Sequence, residues 1–112
     1  MKDIIFVKQQ LSDKENSNKY LLKTELTELG YAYIFHGNST NNVYFFIHPE
    51  HRSNGFGYLI FSHILKELKN ITKYPHITLD IEKSNPHANN IIAKSGGLIL
   101  SDDTHTHWIL KL

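Results

Sequence analysis

Val43-Tyr-Phe-Phe-Ile47-His-Pro49-Glu-His-Arg52-Ser-Asn-Gly55-Phe-Gly57-Tyr-Leu59 is the stretch on which the fold of this chain turns. Val43 to Ile47 is continuously apolar, too short for a helix and stopped by Pro49, which predicts a central strand covered on both faces. Beyond Gly57, Phe61, Ile64, Leu68 and Ile71 recur at helical spacing while Ser62, His63, Lys66, Glu67, Lys69 and Asn70 occupy other faces, so an amphipathic helix follows the glycines. Strand, glycine turn and helix together have the form of an anion cradle. Glycines let the backbone bend toward a ligand with no Cβ in the way, and the first amides of a helix are unpaired and lie at the positive end of its dipole. Arg52 adds a fixed cation at the mouth. A tight strand-to-helix turn that needs glycine for its own sake reads the same way.

Upstream of this stretch, Ile4 to Val7 reads as a short strand and the polar run Gln9 to Asn18 as a loop. Tyr20 to Leu26 and Tyr31 to Phe35 are strand-like, with Gly30 placed to make the turn of a hairpin, and His36 to Asn42 is a turn. Downstream, Ile77, Leu79 and Ile81 alternate with Thr78, Asp80 and Glu82, the period of a strand with one face more buried. Asn85 is placed to cap a second, shorter helix with Pro86 as its first residue, Ala88, Ile91, Ile92 and Ser95 on one face, and Gly96 or Gly97 at its end. Leu98 to Leu100 and His105 to Leu110, on either side of Ser101 to Thr104, complete the chain as a hairpin.

Composition narrows the chemistry. The 112 residues suit one domain, 1–112, and 40% hydrophobic with 21% charged residues is the balance of an ordinary folded chain. Twelve Lys and Arg against eleven Asp and Glu give a net charge of +1, far from the surplus that grips phosphate backbones, so no nucleic acid partner is expected. The absence of cysteine removes thiol nucleophiles and thiolate metal sites and fits a cytoplasmic location. No run approaches the roughly 20 apolar residues of a membrane helix, so no membrane partner is expected. His48-x-x-His51 and His105-x-His107 lack obvious further ligands, and no metal site is expected. Tyr31, Tyr33, Tyr44, Phe45, Phe46 and Trp108 lack the accompanying basic residues of a base-stacking platform and read as core and pocket walls.

No Gly-x-x-x-x-Gly-Lys-Ser/Thr loop is present, and no third glycine completes a dinucleotide pattern after Gly57. The segment instead resembles the acyl-CoA signature of the GNAT superfamily of N-acyltransferases, Val-x-Pro-x-x-Arg/Gln-x-x-Gly-x-Gly/Ala, with Ile47, Pro49, Arg52, Gly55 and Gly57 at its fixed positions. Ile77 to Asn85, followed by Ala88-Asn89 and Gly96-Gly97, is similar to the second signature of that family. The resemblance implies an α/β (α+β) fold: a mixed, mostly antiparallel sheet with two main helices, opened between the strands ending near His48 and Lys83. It implies acetyl-CoA as cosubstrate, with the pyrophosphate on the backbone amides of Ser53, Asn54, Gly55, Phe56, Gly57 and Tyr58, and with Arg52 opening the loop. Ile47 would pair through its backbone with the pantetheine arm, and Asn85 and Asn89 would contact the same region, although Asn85 reads equally well as a plain helix cap.

The activity implied is transfer of an acetyl group from acetyl-CoA to a primary amine by direct attack in a ternary complex. The alternative is an inactive acyl-CoA-binding or sensing protein of the same fold. Many family members carry a tyrosine where Ile92 stands, as the acid for departing CoA, and an aromatic residue where Gly97 stands. A thiol of pKa about 8.5 leaves as thiolate near pH 7.5 at a cost of only about 1.4 kcal/mol, so loss of that acid is tolerable. An alkyl ammonium costs about 4 kcal/mol to deprotonate near neutrality, so a base matters more. His48, Asp80 and Glu82 are the candidate bases, with Glu25 and Glu28 more remote, and a plain solvated strand face also accounts for Asp80 and Glu82. The polar run before Asn18 leaves no room for the two helices that wall the acceptor site in fuller members. The acceptor side is therefore expected to be open to a macromolecule or completed by a second subunit in a homodimer.

Overall fold

Alternating apolar and polar residues build a sheet whose strands are interrupted by two helices. The computed structural model describes residues 3–12, 17–36, 40–71 and 75–112. In chain order the elements are β1 (Ile5–Ser12), β2 (Ser17–Lys23), β3 (Glu28–His36), β4 (Asn41–Ile47), α1 (Phe56–Ile71), β5 (His76–Glu82), α2 (Pro86–Lys94), β6 (Leu98–Asp102) and β7 (His105–Lys111). Across the sheet they run β1-β2-β3-β4-β5-β7-β6. Neighbours are antiparallel except β4 and β5, which α1 joins as a crossover. The sheet is thus mixed and mostly antiparallel, as the resemblance implied.

Both helices pack on one face. Tyr20, Leu22, Ala32, Ile34, Val43, Ile47, Ile77, Leu79, Ile81, Trp108 and Leu110 line that face and meet Ile60, Phe61, Ile64 and Leu68 of α1 and Ala88, Ile91 and Ile92 of α2. The Tyr20 hydroxyl is buried there, and burial, with Glu67 adding to it, pushes its pKa up to about 12. The opposite face has no helix among the described residues. It carries Lys19, Tyr31, Tyr33, Tyr44 and Phe46 on β2 to β4, and Thr78, Asp80, Glu82, His105 and His107 on β5 and β7. The bond from Asn42 Nδ2 to Thr78 Oγ1 (3.1 Å) confirms that the two sets share a face. The β4 strand is therefore central but covered on one face only, and Tyr44 stays 45% exposed. Continuous apolarity here reflects an aromatic row on the helix-free face, not a second covering layer.

Three further expectations change. Within the run Gln9 to Asn18, β1 continues to Ser12 and pairs with β2 from Ser17, because an edge strand tolerates polar residues on its ladder, while residues 13–16 of the expected loop lie outside the described residues. The turn between β2 and β3 is not at Gly30 but at Thr24 to Thr27, where the Thr24 N–H bonds Thr27 O (2.8 Å) and Thr24 Oγ1 accepts the Thr27 N–H (3.2 Å). Gly30 lies inside β3 opposite Leu22 and Ile47. A Cβ there would come within 2.4 Å of Phe46 O, so close backbone approach is what requires glycine. Finally, Ser95 does not extend the apolar face of α2 but ends the helix, its Oγ donating to Ile91 O (2.8 Å). At the far edge of the sheet, Leu98, Ile99 and Leu100 of β6 are all exposed. No described helix is long and apolar enough to cross a membrane.

His107 ties β5 to the β6–β7 turn: Nδ1 meets Asp80 Oδ1 at 2.5 Å and Nε2 meets Asp103 Oδ1 at 3.1 Å. These bonds, Asp80 first, raise the His107 pKa. Bonds from the His105 backbone and then the His107 ring lower that of Asp103. The imidazolium contribution is complete below about pH 6.5 and is lost as pH rises through the raised value; the Asp103 contribution is lost as pH falls through the lowered one. An NMR titration should place the His107 midpoint above 6.5 and Asp80→Asn should bring it down; an unshifted midpoint in the parent protein would exclude the clamp. Gly30→Ala should lower stability by about 1–3 kcal/mol. Thermal unfolding would read that loss as a fall in Tm of about 4–12 °C.

Candidate active site

The β4–β5 pairing lasts for two residue pairs, Asn41 with Ile77 and Asn42 with Thr78. Beyond them the strands part, and the cleft that opens is the site. His48 N–H bonds Leu29 O at 3.0 Å, so the alternation of the β3–β4 ladder turns the backbone groups of Phe45 and Ile47 away from β3 and toward the gap. The Ile47 carbonyl is taken by Arg52 Nε (2.9 Å), which folds the arginine back over β4 with its guanidinium carbon 5.1 Å from the Phe46 ring centre.

From Ile47 the chain passes through a single 3-10 turn, Pro49–His51, into the loop that starts α1. Ser53, a non-glycine residue, has φ 67°, and Gly55 has φ 80°, both left-handed. Such alternation turns successive backbone N–H groups to one side and suits an anion. The first helical bond runs from Leu59 N–H to Gly55 O (3.1 Å), so Phe56, Gly57 and Tyr58 have no i−4 partner for their amides. The two glycines serve different needs. Gly55 has open space where a Cβ would stand, so only its φ demands glycine, whereas a Cβ on Gly57 would lie 3.1 Å from Ile91 Cδ1 and set the distance from α1 to α2.

A cavity of about 280 Å³ collects Ile47, Arg52, Ser53, Gly55, Phe56, Gly57 and Asn85. Asn54 instead braces the loop through its side-chain amide to His51 O and Arg52 O, both 3.3 Å. Tyr58 points outward and is exposed. Asn85 caps α2, its Oδ1 accepting the Ala88 N–H at 3.2 Å, while bordering the cavity. Asn89 does not line this cavity: Nδ2 donates to Glu82 O and Asn85 O (both 3.0 Å) and Oδ1 accepts from Trp108 Nε1 (2.8 Å). The Nδ2 bonds tie the start of α2 to β5, and the bond accepted by Oδ1 ties it to β7, so both ends of the side-chain amide are engaged within the protein. His51, read above only as half of a His-x-x-His pair, and His87 also line this cavity. His51 occupies a variable position of the signature and His87 an ordinary helix position, so only their shared location singles them out.

A second cavity of about 400 Å³ adjoins the first, sharing Phe45, Phe46, Arg52, Asn85 and Ala88 with it, and reaches residues of the helix-free face. Tyr44 and Phe46 line it from β4, Asp80 and Glu82 from β5, and His105 from β7. Partial burial, then Tyr31, then Glu82, raises the Tyr44 pKa and keeps its hydroxyl protonated. Glu82 accepts the Ser84 hydroxyl (3.3 Å). His48, by contrast, lines neither cavity: its Nε2 meets Glu28 Oε2 at 2.5 Å, and its ring packs against Tyr31 and Phe46. Ile92 is fully buried in the core, and a Cβ on Gly97 would stand 2.6 Å from Ile92 Cγ2 and 3.0 Å from Trp108 Cε3. The described residues hold no group of three or more His, Cys, Asp or Glu able to hold a metal ion.

Comparison with known proteins agrees with this architecture. No curated protein sequence matches the chain. Among solved structures, a domain from Methanocaldococcus jannaschii superposes with a TM-score of 0.78 at 15% identity, covering 98% of this chain and 100% of that one. The spermidine/spermine N-acetyltransferase SpeG from Vibrio cholerae gives 0.77 at 14% identity, covering 88% of this chain and 69% of that one. The Campylobacter jejuni N-acetyltransferase PseH, solved in complex with acetyl coenzyme A, gives 0.73 at 16%, covering 86% and 68%. At these identities the likeness is one of fold. The profile of the Acetyltransferase (GNAT) family matches residues 9–96, most of the sequence, and the chain therefore belongs to the GNAT acetyltransferase family.

Proposed function

We propose that the protein transfers an acetyl group from acetyl-CoA to a primary amine by direct attack, the donor entering on the helix side of the sheet and the amine on the helix-free side. The observation that carries the reading is that two cavities, one lined by the α1 loop and one by the helix-free face, adjoin at the β4–β5 gap and share five lining residues. One end offers unpaired amides and the Arg52 guanidinium, suited to a pyrophosphate; the other offers carboxylates suited to an ammonium. A pantetheine arm lying in the gap would find the Phe45 and Ile47 amides, one of which would donate to the oxyanion as the amine adds to the thioester carbonyl. With no cysteine in the chain, an acyl-cysteine carrier is ruled out.

The amine must lose a proton, and Asp80 and Glu82 are the carboxylates bordering the cleft to receive it, directly or through water. Asp80 already faces the His107 ring, which leaves Glu82 the less encumbered of the two. The thiolate leaves without an acid at the position of Ile92, whose side chain lies wholly in the core. That substitution also motivates the rival reading, an acyl-CoA-binding protein without turnover.

Calorimetry with acetyl-CoA should give micromolar affinity, weakened at least tenfold when Gly55 and Gly57 are both replaced by alanine in a variant shown by circular dichroism to be folded. No binding by the parent protein would end the reading. In an amine-dependent thiol-release assay, the Asp80→Asn, Glu82→Gln double variant should lose about 10²-fold or more in kcat with acetyl-CoA affinity retained. His48→Ala should stay within a few-fold of the parent. Acetyl-CoA binding with no thiol release across a broad amine panel would favour the non-catalytic reading.

A further inference from the structure

Two cations of the chain itself rest on the aromatic side of the helix-free face. The Lys19 ammonium lies 5.1 Å from the Tyr31 ring centre and 5.5 Å from that of Tyr33, and Arg52 covers Phe46. Tyr31 is the hub, with ring centres 5.5 Å from Tyr33, 5.5 Å from Phe46 and 6.4 Å from Tyr44. The four rings form one continuous shelf from Lys19 to the rim of the cleft, where Tyr44 and Phe46 meet Asp80 and Glu82 across the gap. The negative faces of such rings attract a cation, more strongly as water is excluded. The shelf is partly exposed, and its Tyr31–Tyr33 end already holds an alkyl ammonium.

We infer that this shelf is a subsite for a second cationic centre of the acceptor, which is accordingly a linear diamine. One ammonium rests on Tyr31 and Tyr33 while the other amine reaches the cleft beside Asp80 and Glu82. The spacing follows from the sheet: Tyr31 and Tyr33 stand on β3, and the cleft lies just beyond β4, about one and a half strand separations away, or roughly 7 Å. A five-carbon chain between nitrogens matches that distance. Lys19 occupies the subsite in the free protein and has to swing aside, so it acts as a built-in competitor. Naming one nitrogen as the reacting amine rests on the acetyltransferase reading; the cation subsite itself does not.

The experiment therefore reads binding and turnover separately. Titrating 1,5-diaminopentane into the full chain should shift the Lys19 ε-methylene NMR signals, moved upfield by the tyrosine rings, saturably toward their unshifted position. 1-Aminopentane should need at least tenfold higher concentration. Lys19→Met should bind the diamine several-fold more tightly, whereas Tyr31→Leu with Tyr33→Leu should weaken it tenfold or more. In the thiol-release assay the diamine should exceed 1-aminopentane in kcat/KM by at least tenfold, chiefly through KM. Lys19 signals unmoved by the diamine, or equal binding of the two amines, would overturn the inference even where acetyl-CoA binds. Diamine binding with no acetyl-CoA binding would keep the subsite and overturn the acetyltransferase reading.

Discussion

The cleft of this molecule depends on two strands ceasing to pair. The β4 and β5 strands are joined for two residue pairs and fastened there by side chains, Asn42 to Thr78 and Thr40 Oγ1 to His76 O (3.1 Å). Past that point, each strand is held by its other neighbour, β4 by β3 and β5 by β7, over its whole length. The gap can therefore stay open without unravelling either strand. The cost is a row of unpaired backbone groups facing the gap, and a buried unpaired amide is expensive. Arg52 meets part of that cost by capping Ile47 O. The remaining amides are available to a ligand, which is the usual reason for a sheet to leave its ladder unfinished.

How much of this was legible depended on whether a residue's reason lay near it in sequence. Asn85 and Pro86 announce α2 because capping is a local event within one helical turn, and the cap is found as read. Pro49, Arg52, Gly55 and Gly57 announce the loop because their spacing is fixed by one strand and one helix. Gly30 misled because its reason is non-local: the atoms that exclude a Cβ belong to Phe46 and Ile47, sixteen and seventeen residues away. The polar run after Val7 misled because an edge strand needs little apolar surface and its stability comes from the β2 ladder. Asn89 is the opposite case: nothing near it in sequence announces that its side-chain partners lie inside the protein, on β5 and β7.

Placing both helices on one face has a consequence for the other. That face divides along the cleft into an aromatic half on β2 to β4 and a half of carboxylates and imidazoles on β5 and β7. Neither half would be stable as a buried layer without large rearrangement, since Asp80, Glu82 and His107 would lose water and Tyr31, Tyr33 and Tyr44 would need partners for their hydroxyls. A surface of this kind is tolerable in water and discriminating toward a ligand. Rings favour a cation by their faces, carboxylates by charge, and the His107 clamp keeps the imidazole from acting as a free positive group at the rim.

Ile92 and Gly97 are best understood as one substitution. A Cβ on Gly97 would press on Ile92 and Trp108, so the β-branched isoleucine and the bare glycine fill a single volume between α2 and β7. Putting a tyrosine at 92 would require its hydroxyl to find a partner in a fully buried site or its ring to push toward the cleft, and Gly97 supplies neither bond nor room. The isoleucine and the bare glycine make a tight joint between α2 and the sheet. In the proposed reaction an apolar residue at 92 is tolerable because a thiolate is a good leaving group near neutral pH, while the proton on the attacking amine is not so easily shed. In the proposed reaction the demand falls on the β5 side of the cleft, where the carboxylates are, and not on the α2 side, where the core is.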